Sequence, residues 1–194
     1  IKKLEEEIDK DTLLVSIIHA NNEIGSIQEL EKIGKLCKDK TYFHTDAAQS
    51  FGKLNIDVKK MNIDLLTASA HKIGGPKGIG LLYINENVAI SPIIHGGGQE
   101  RNLRGGTENV PAIVGFSKAL EIIKSSDKKI LELKNYFMQK LENLNGKING
   151  SKEKGIYNLI NVYFPKADAE RIVLFLSQKG IMCSTGSACD SKKK

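Results

Sequence analysis

The chain has 194 residues, 40% hydrophobic and 27% charged, with a net charge of +6. These figures suit a globular protein able to bury a real core in one large domain or two small ones. No run approaches the roughly 18 apolar residues that a membrane span requires, and Ile1-Lys2-Lys3-Leu4-Glu5-Glu6-Glu7 is not a secretory pattern. The positive charge is scattered rather than gathered into a stripe with interleaved aromatics, so direct nucleic-acid contact is not expected. Cys37, Cys183 and Cys189 are odd in number and widely spaced. That excludes a disulfide framework and a zinc site, and favours a reducing compartment. A chain that opens on Ile1 and closes on Lys192-Lys193-Lys194 reads as an excerpt of a longer one.

The elements follow in order. Thr12 to Ile18 is an apolar, partly β-branched run of strand length and is expected to be buried. Ile27, Leu30, Ile33, Leu36 and Cys37 recur at helical spacing. Tyr42 to Thr45 is a second strand ending at Asp46, Leu65 to Ala68 a third, and Ile79 to Ile84 a fourth. Strand, helix and strand with short polar connections predict an α/β sheet. Beyond residue 110 the order becomes α+β. Ile113, Val114, Phe116, Leu120 and Ile123 mark one helix, with Pro111 in its first turn. Ile130, Leu133, Phe137, Leu141 and Leu144 mark another. An alternating strand from Leu159 to Phe164 leads to a helix opened by Asp168 and closed by Gly180, then to a short strand at Ile181-Met182-Cys183. A boundary near residue 124 divides a larger part, 1–124, from a smaller one, 125–194.

Four places carry chemistry. Ser69-Ala70-His71-Lys72 ends a predicted strand and runs into Gly74, Gly75, Gly78 and Gly80. Ligands of α/β sheets sit at such ends, and glycines allow close backbone approach. On an extended chain Ser69 and His71 would share a side and Lys72 would face elsewhere. The alternative is a glycine-rich turn with surface lysines. Asp46 at its strand end would be partly desolvated and want a cation, such as a protonated pyridine nitrogen. Gln49 would lie on the same side of a helical turn; the alternative makes Asp46 an ordinary cap. The loop from Gly96 to Arg101, continuing through Arg104-Gly105-Gly106-Thr107, suggests polar groups presented to a phosphate or across a subunit interface, or else a plain hairpin. Cys183, within its short strand, fits an inert small hydrophobe. Cys189 follows small residues and precedes lysines, so an exposed loop with a favoured thiolate is expected.

Together these residues resemble the group I, NifS/IscS-type cysteine desulfurases. The motifs are Asn21-Asn22-Glu23-Ile24-Gly25, His44-Thr45-Asp46-Ala47-Ala48-Gln49-Ser50, Ser69-Ala70-His71-Lys72, His95-Gly96-Gly97-Gly98-Gln99-Glu100-Arg101, Arg104-Gly105-Gly106-Thr107-Glu108-Asn109 and Gly186-Ser187-Ala188-Cys189, in family order. The resemblance implies the aspartate-aminotransferase-like fold (fold type I) of pyridoxal-phosphate-dependent enzymes. Residues 1–124 would be part of the large cofactor-binding domain, and 125–194 part of the small domain with the active-cysteine loop.

It also implies roles. Lys72 would join pyridoxal 5'-phosphate covalently and shuttle protons. Asp46 would pair with the ring nitrogen, Gln49 and Asn22 with the ring oxygen, and Ser69 and His71 with the phosphate. Thr107 would serve the second subunit of a homodimer, and Asn22 would also contact the substrate, L-cysteine. Cys189 would take its sulfur as a persulfide, leaving alanine, for an iron–sulfur scaffold or another acceptor such as one for tRNA thiolation. Cytoplasm, or an organelle such as the mitochondrion, is the expected location. A selenocysteine lyase of the same fold would keep Lys72 and Asp46, so the Cys189 loop discriminates. The family's ring-stacking histidine, its Gly/Thr phosphate turn and its carboxylate-binding arginine do not occur in these residues, and the isolated piece is expected to be inactive.

Overall fold

A computed structural model of the chain describes residues 1–123 and 128–186. They fall into two compact units, 1–19 with 29–123 and 20–28 with 128–186.

In the first unit, a short helix α1 (Lys2–Glu7) precedes β1 (Leu14–Ile18), and α2 (Leu30–Cys37) leads to β2 (Tyr42–Asp46). Then come β3 (Leu65–Ser69) and β4 (Gly80–Ile84). The sheet order is β1-β2-β3-β4, with the first three parallel and β4 antiparallel to β3. Strand alternation sorts the side chains. Val15, Phe43, Thr45, Leu66 and Ala68 are buried on one face. Ser16, His44, Asp46, Thr67 and Ser69 occupy the other, and the register pairs Ser16 with His44 and Asp46 with Thr67. The expected buried run from Thr12 begins at Leu14 instead. Leu13, before the strand, and Leu14, its first residue, are 74% and 46% exposed; within this edge strand only Val15 is buried, since alternate residues face away from the core.

Helix α2 buries Leu30, Ile33 and Cys37 against this core. Removing one such side chain from water contributes about 1.5–3 kcal/mol. Gly34 lets the helix touch the backbone of the segment before β3: a Cβ there would lie 1.8 Å from the Met61 carbonyl oxygen. Helix α3 (Val110–Ile122) is capped by Asn109, whose side chain accepts from the Ala112 N–H at 3.3 Å. Pro111 is tolerated there because first-turn N–H groups have no helical acceptor. Phe116 carries α3 into the core and meets Phe51 edge to face.

The second unit contains α4 (Lys128–Glu142), an antiparallel pair β5 (Lys147–Asn149) and β6 (Asn161–Tyr163), and α5 (Ala169–Gln178). The segment 20–28 joins it: the Ile156 N–H donates to the Gly25 carbonyl at 2.8 Å and the Asn161 amide to the Glu23 carbonyl at 3.2 Å. The buried Lys134 ammonium donates to the Ile156 carbonyl at 2.6 Å. Asp168 caps α5 by accepting from the Arg171 N–H. Gly180 ends it in the left-handed region, with the Ile181 and Gly180 N–H groups returning to Leu176 and Ser177. The predicted strand at Ile181–Cys183 does not form. Those residues pair with no strand among the described residues, and Cys183, expected to pack as a small hydrophobe, is exposed. Cys189 lies outside the described residues.

Candidate active site

The carboxyl ends of β2 and β3 gather the polar residues. Asp46 is the last residue of β2, and Thr67 beside it is followed two positions on by Ser69, which ends β3 on the same face. The chain then tightens into a 3-10 turn over Ala70–Ile73, not the extended run expected. Gly74 permits this with φ of 81°, and the Gly75 N–H returns to the Ala70 carbonyl at 2.9 Å. Helix α3 presses on the turn through small residues. A Cβ on Gly75 would meet Ala119 at 3.3 Å, and one on Gly115 would lie 2.7 Å from Pro76. The turn brings the His71 Nδ1 within 2.8 Å of the Ser69 hydroxyl. The two side chains therefore do share a site, through a bend rather than through strand alternation. Lys72 is half-buried in the same turn.

Asp46 caps a turn, not a helix. Its Oδ1 accepts from the Ala48 N–H at 2.8 Å, the only hydrogen bond to its carboxylate among the described residues. Oδ2 is left available to a ligand. Gln49 lies half-buried in that turn. Asn22 belongs to the second unit and is exposed in a turn that Asn21 closes by accepting from the Glu23 and Ile24 N–H groups. Thr107 is exposed and follows the glycine loop. That loop is closed by the Gly105 N–H donating to the Ile94 carbonyl and by backbone contact between Gly96 and Gly105.

Three further bases of the first unit are buried or half-buried. His44 Nδ1 lies 2.7 Å from the Ser16 hydroxyl and its Nε2 3.3 Å from that of Thr67. Burial lowers its pKa, against the opposing pull of Asp46. His19, 5% exposed, lies 2.8 Å from the Ser50 hydroxyl, and burial pushes it down to about 4. Lys53 is 6% exposed, and burial first, then the Lys72 charge, holds it below the ordinary lysine range. A lone histidine after an apolar run, or a lysine after a glycine, gives no sequence signal of burial. The partners lie far along the chain.

The carboxyl edge of the parallel strands thus carries a lysine, a carboxylate and a Ser–His pair, at the end of an α/β sheet where ligands commonly sit. The family model for aminotransferase class-V matches residues 1–193, and the chain belongs to that family. It is 47% identical to cysteine desulfurase IscS of Methanosarcina thermophila over 195 residues, covering 97% of this chain and 48% of the relative. The chain thus spans about half the length of the curated relatives it matches. Among solved structures, a NifS-like protein superposes with a TM-score of 0.89 at 42% identity, covering 95% of this chain and 52% of that one. SspA in complex with cysteine follows with a TM-score of 0.82 and 41% identity, over 97% and 54%.

Proposed function

We propose that the protein to which this chain belongs is a cysteine desulfurase that uses pyridoxal phosphate. The observation that carries the reading is the convergence of Asp46, Ser69, His71 and Lys72 at one strand edge. The donor set fits the cofactor. A Ser–His pair beside glycines suits a phosphate, a carboxylate with a spare oxygen suits a protonated ring nitrogen, and a half-buried lysine amine suits an aldehyde. When bound, the cofactor supplies an aldehyde and an electron-withdrawing ring. Ser69 and His71 hold the phosphate, Asp46 balances the charge on the ring nitrogen, and Gln49 donates to the ring oxygen. Lys72 anchors the cofactor and carries protons to and from the substrate carbon.

Cys189 is assigned as the sulfur acceptor from the Gly186-Ser187-Ala188-Cys189 sequence. The Cβ–S bond of L-cysteine breaks, an S–S bond to the Cys189 sulfur forms, and the thiol proton of Cys189 ends on the methyl group of alanine. The family pattern assigns Asn22 to the ring oxygen and substrate, and Thr107 to the cofactor phosphate of a second subunit. That assignment of Thr107 requires a homodimer, and Thr107 is exposed beside a cleft of about 890 Å³. An iron–sulfur scaffold is the acceptor that the resemblance favours. The odd number and wide spacing of the cysteines support a reducing compartment such as the cytoplasm. The test is release of alanine and sulfide from L-cysteine by the whole protein. Cys189→Ser should abolish sulfide release. Equal sulfide from both proteins would remove Cys189 from the reaction.

A further inference from the structure

His19 touches both ends of the turn that presents Asp46 and Gln49. Its backbone N–H donates to the Asp46 carbonyl at 2.9 Å. Its ring meets the hydroxyl of Ser50, the residue that follows Gln49, at 2.8 Å. Ser50 is fully buried, and its N–H returns to the Ala47 carbonyl at 3.0 Å. Ala47 is also fully buried and donates to the Thr67 carbonyl at 2.9 Å. The backbone from 46 to 50 is therefore held from β1 on one side and from β3 on the other. The Ala48 N–H of the same turn donates to the Asp46 Oδ1 at 2.8 Å, so the direction of the carboxylate follows the turn.

A buried imidazole–hydroxyl pair adds little net stability, because its hydrogen bond mostly repays the desolvation of its members. Its effect is directional: a hydrogen bond of fixed length and angle sets where a turn ends. Burial keeps the ring neutral, so it brings no competing charge near the carboxylate. Exposure of 5% also leaves the ring out of reach of any substrate. Whatever His19 does for the reaction, it does through its neighbours.

We propose that His19 is a positioning residue for Asp46. Its backbone and ring clamp the two ends of the Asp46–Ser50 turn and so fix the direction of the carboxylate. The proposal rests on the reading that Asp46 faces the ring nitrogen of pyridoxal phosphate. The test uses the whole protein loaded with isotope-labelled pyridoxal phosphate, following protonation of the ring nitrogen by NMR as pH is raised. Loosening the clamp lowers the protonation midpoint by about one pH unit, the tenfold effect of one lost hydrogen bond. Ser50→Ala and His19→Ala should both show it, Asp46→Asn should show a larger fall, and His19→Asn, whose amide can reach Ser50, should recover most of the wild-type value. Ser50→Ala removes one atom from the core and keeps the test open if His19→Ala does not fold. An unchanged midpoint in folded Ser50→Ala, with Asp46→Asn lowered, overturns the clamp and leaves the cofactor reading standing. An unchanged midpoint in Asp46→Asn overturns the cofactor reading and the clamp with it.

Discussion

Acidification should weaken this fold through His19, by an amount the structure sets. Burial alone carries its pKa from 6.5 down to about 4. A base whose folded pKa is depressed binds its proton more readily in the unfolded chain. Between those two values stability therefore rises with pH. The contribution is fully present above 6.5, is lost as pH falls toward 4, and changes no further below that. Each tenfold in proton affinity is about 1.4 kcal/mol, so the whole gap is about 3 kcal/mol, and most of it is spent between about pH 7.5 and about pH 4.5. His44 is also held low by burial and titrates in the same direction, so wild type alone does not isolate His19. His19→Asn does, because an amide keeps a polar group near Ser50 and does not titrate. Urea unfolding of the whole protein at the two pH values measures the difference. Wild type should lose about 2–3 kcal/mol more on acidification than His19→Asn. Parallel losses in the two proteins would show that the His19 ring is charged or hydrated when folded, contrary to its burial.

Lys72→Ala should lose the cofactor that borohydride otherwise fixes to the chain; retention of label would move the anchor elsewhere. Asp46→Asn should bind cofactor through its phosphate yet lose desulfuration by roughly 100-fold or more, and near-normal turnover would reduce Asp46 to a turn cap. Cys189→Ala should keep the cofactor spectrum while losing sulfur transfer, measured as alanine and sulfide. Gly34→Ala sets a helix-propensity gain of about 1 kcal/mol against a Cβ that would lie 1.8 Å from the Met61 carbonyl oxygen. Overpacking of that kind costs about 1–3 kcal/mol or more, so the thermal midpoint should fall, whereas a rise would mean that α2 moves freely off Met61.

The sequence by itself determined what repeats at a fixed period or sits at an end. Helix α3 was legible from Ile113, Phe116 and Leu120, and α5 from its Asp168 cap and Gly180 stop, because helical spacing and capping are local physics. Asp46 and Ser69 were legible because each closes an apolar run, and in a parallel sheet that is where ligands bind. Whether a run becomes a strand at all was decided elsewhere. Ile181 to Cys183 has strand composition but lies beside no strand among the described residues, while the polar Lys147 to Asn149 pairs with β6 and so forms β5. A strand is a relation between two segments, and composition describes only one of them. The bend that joins Ser69 to His71 likewise depends on a positive φ at Gly74 and on α3 packing against Gly75, contacts made from more than 40 residues away. His19 is the clearest case: its partner Ser50 lies 31 residues along the chain, and only the parallel pairing of β1 with β2 brings the two together.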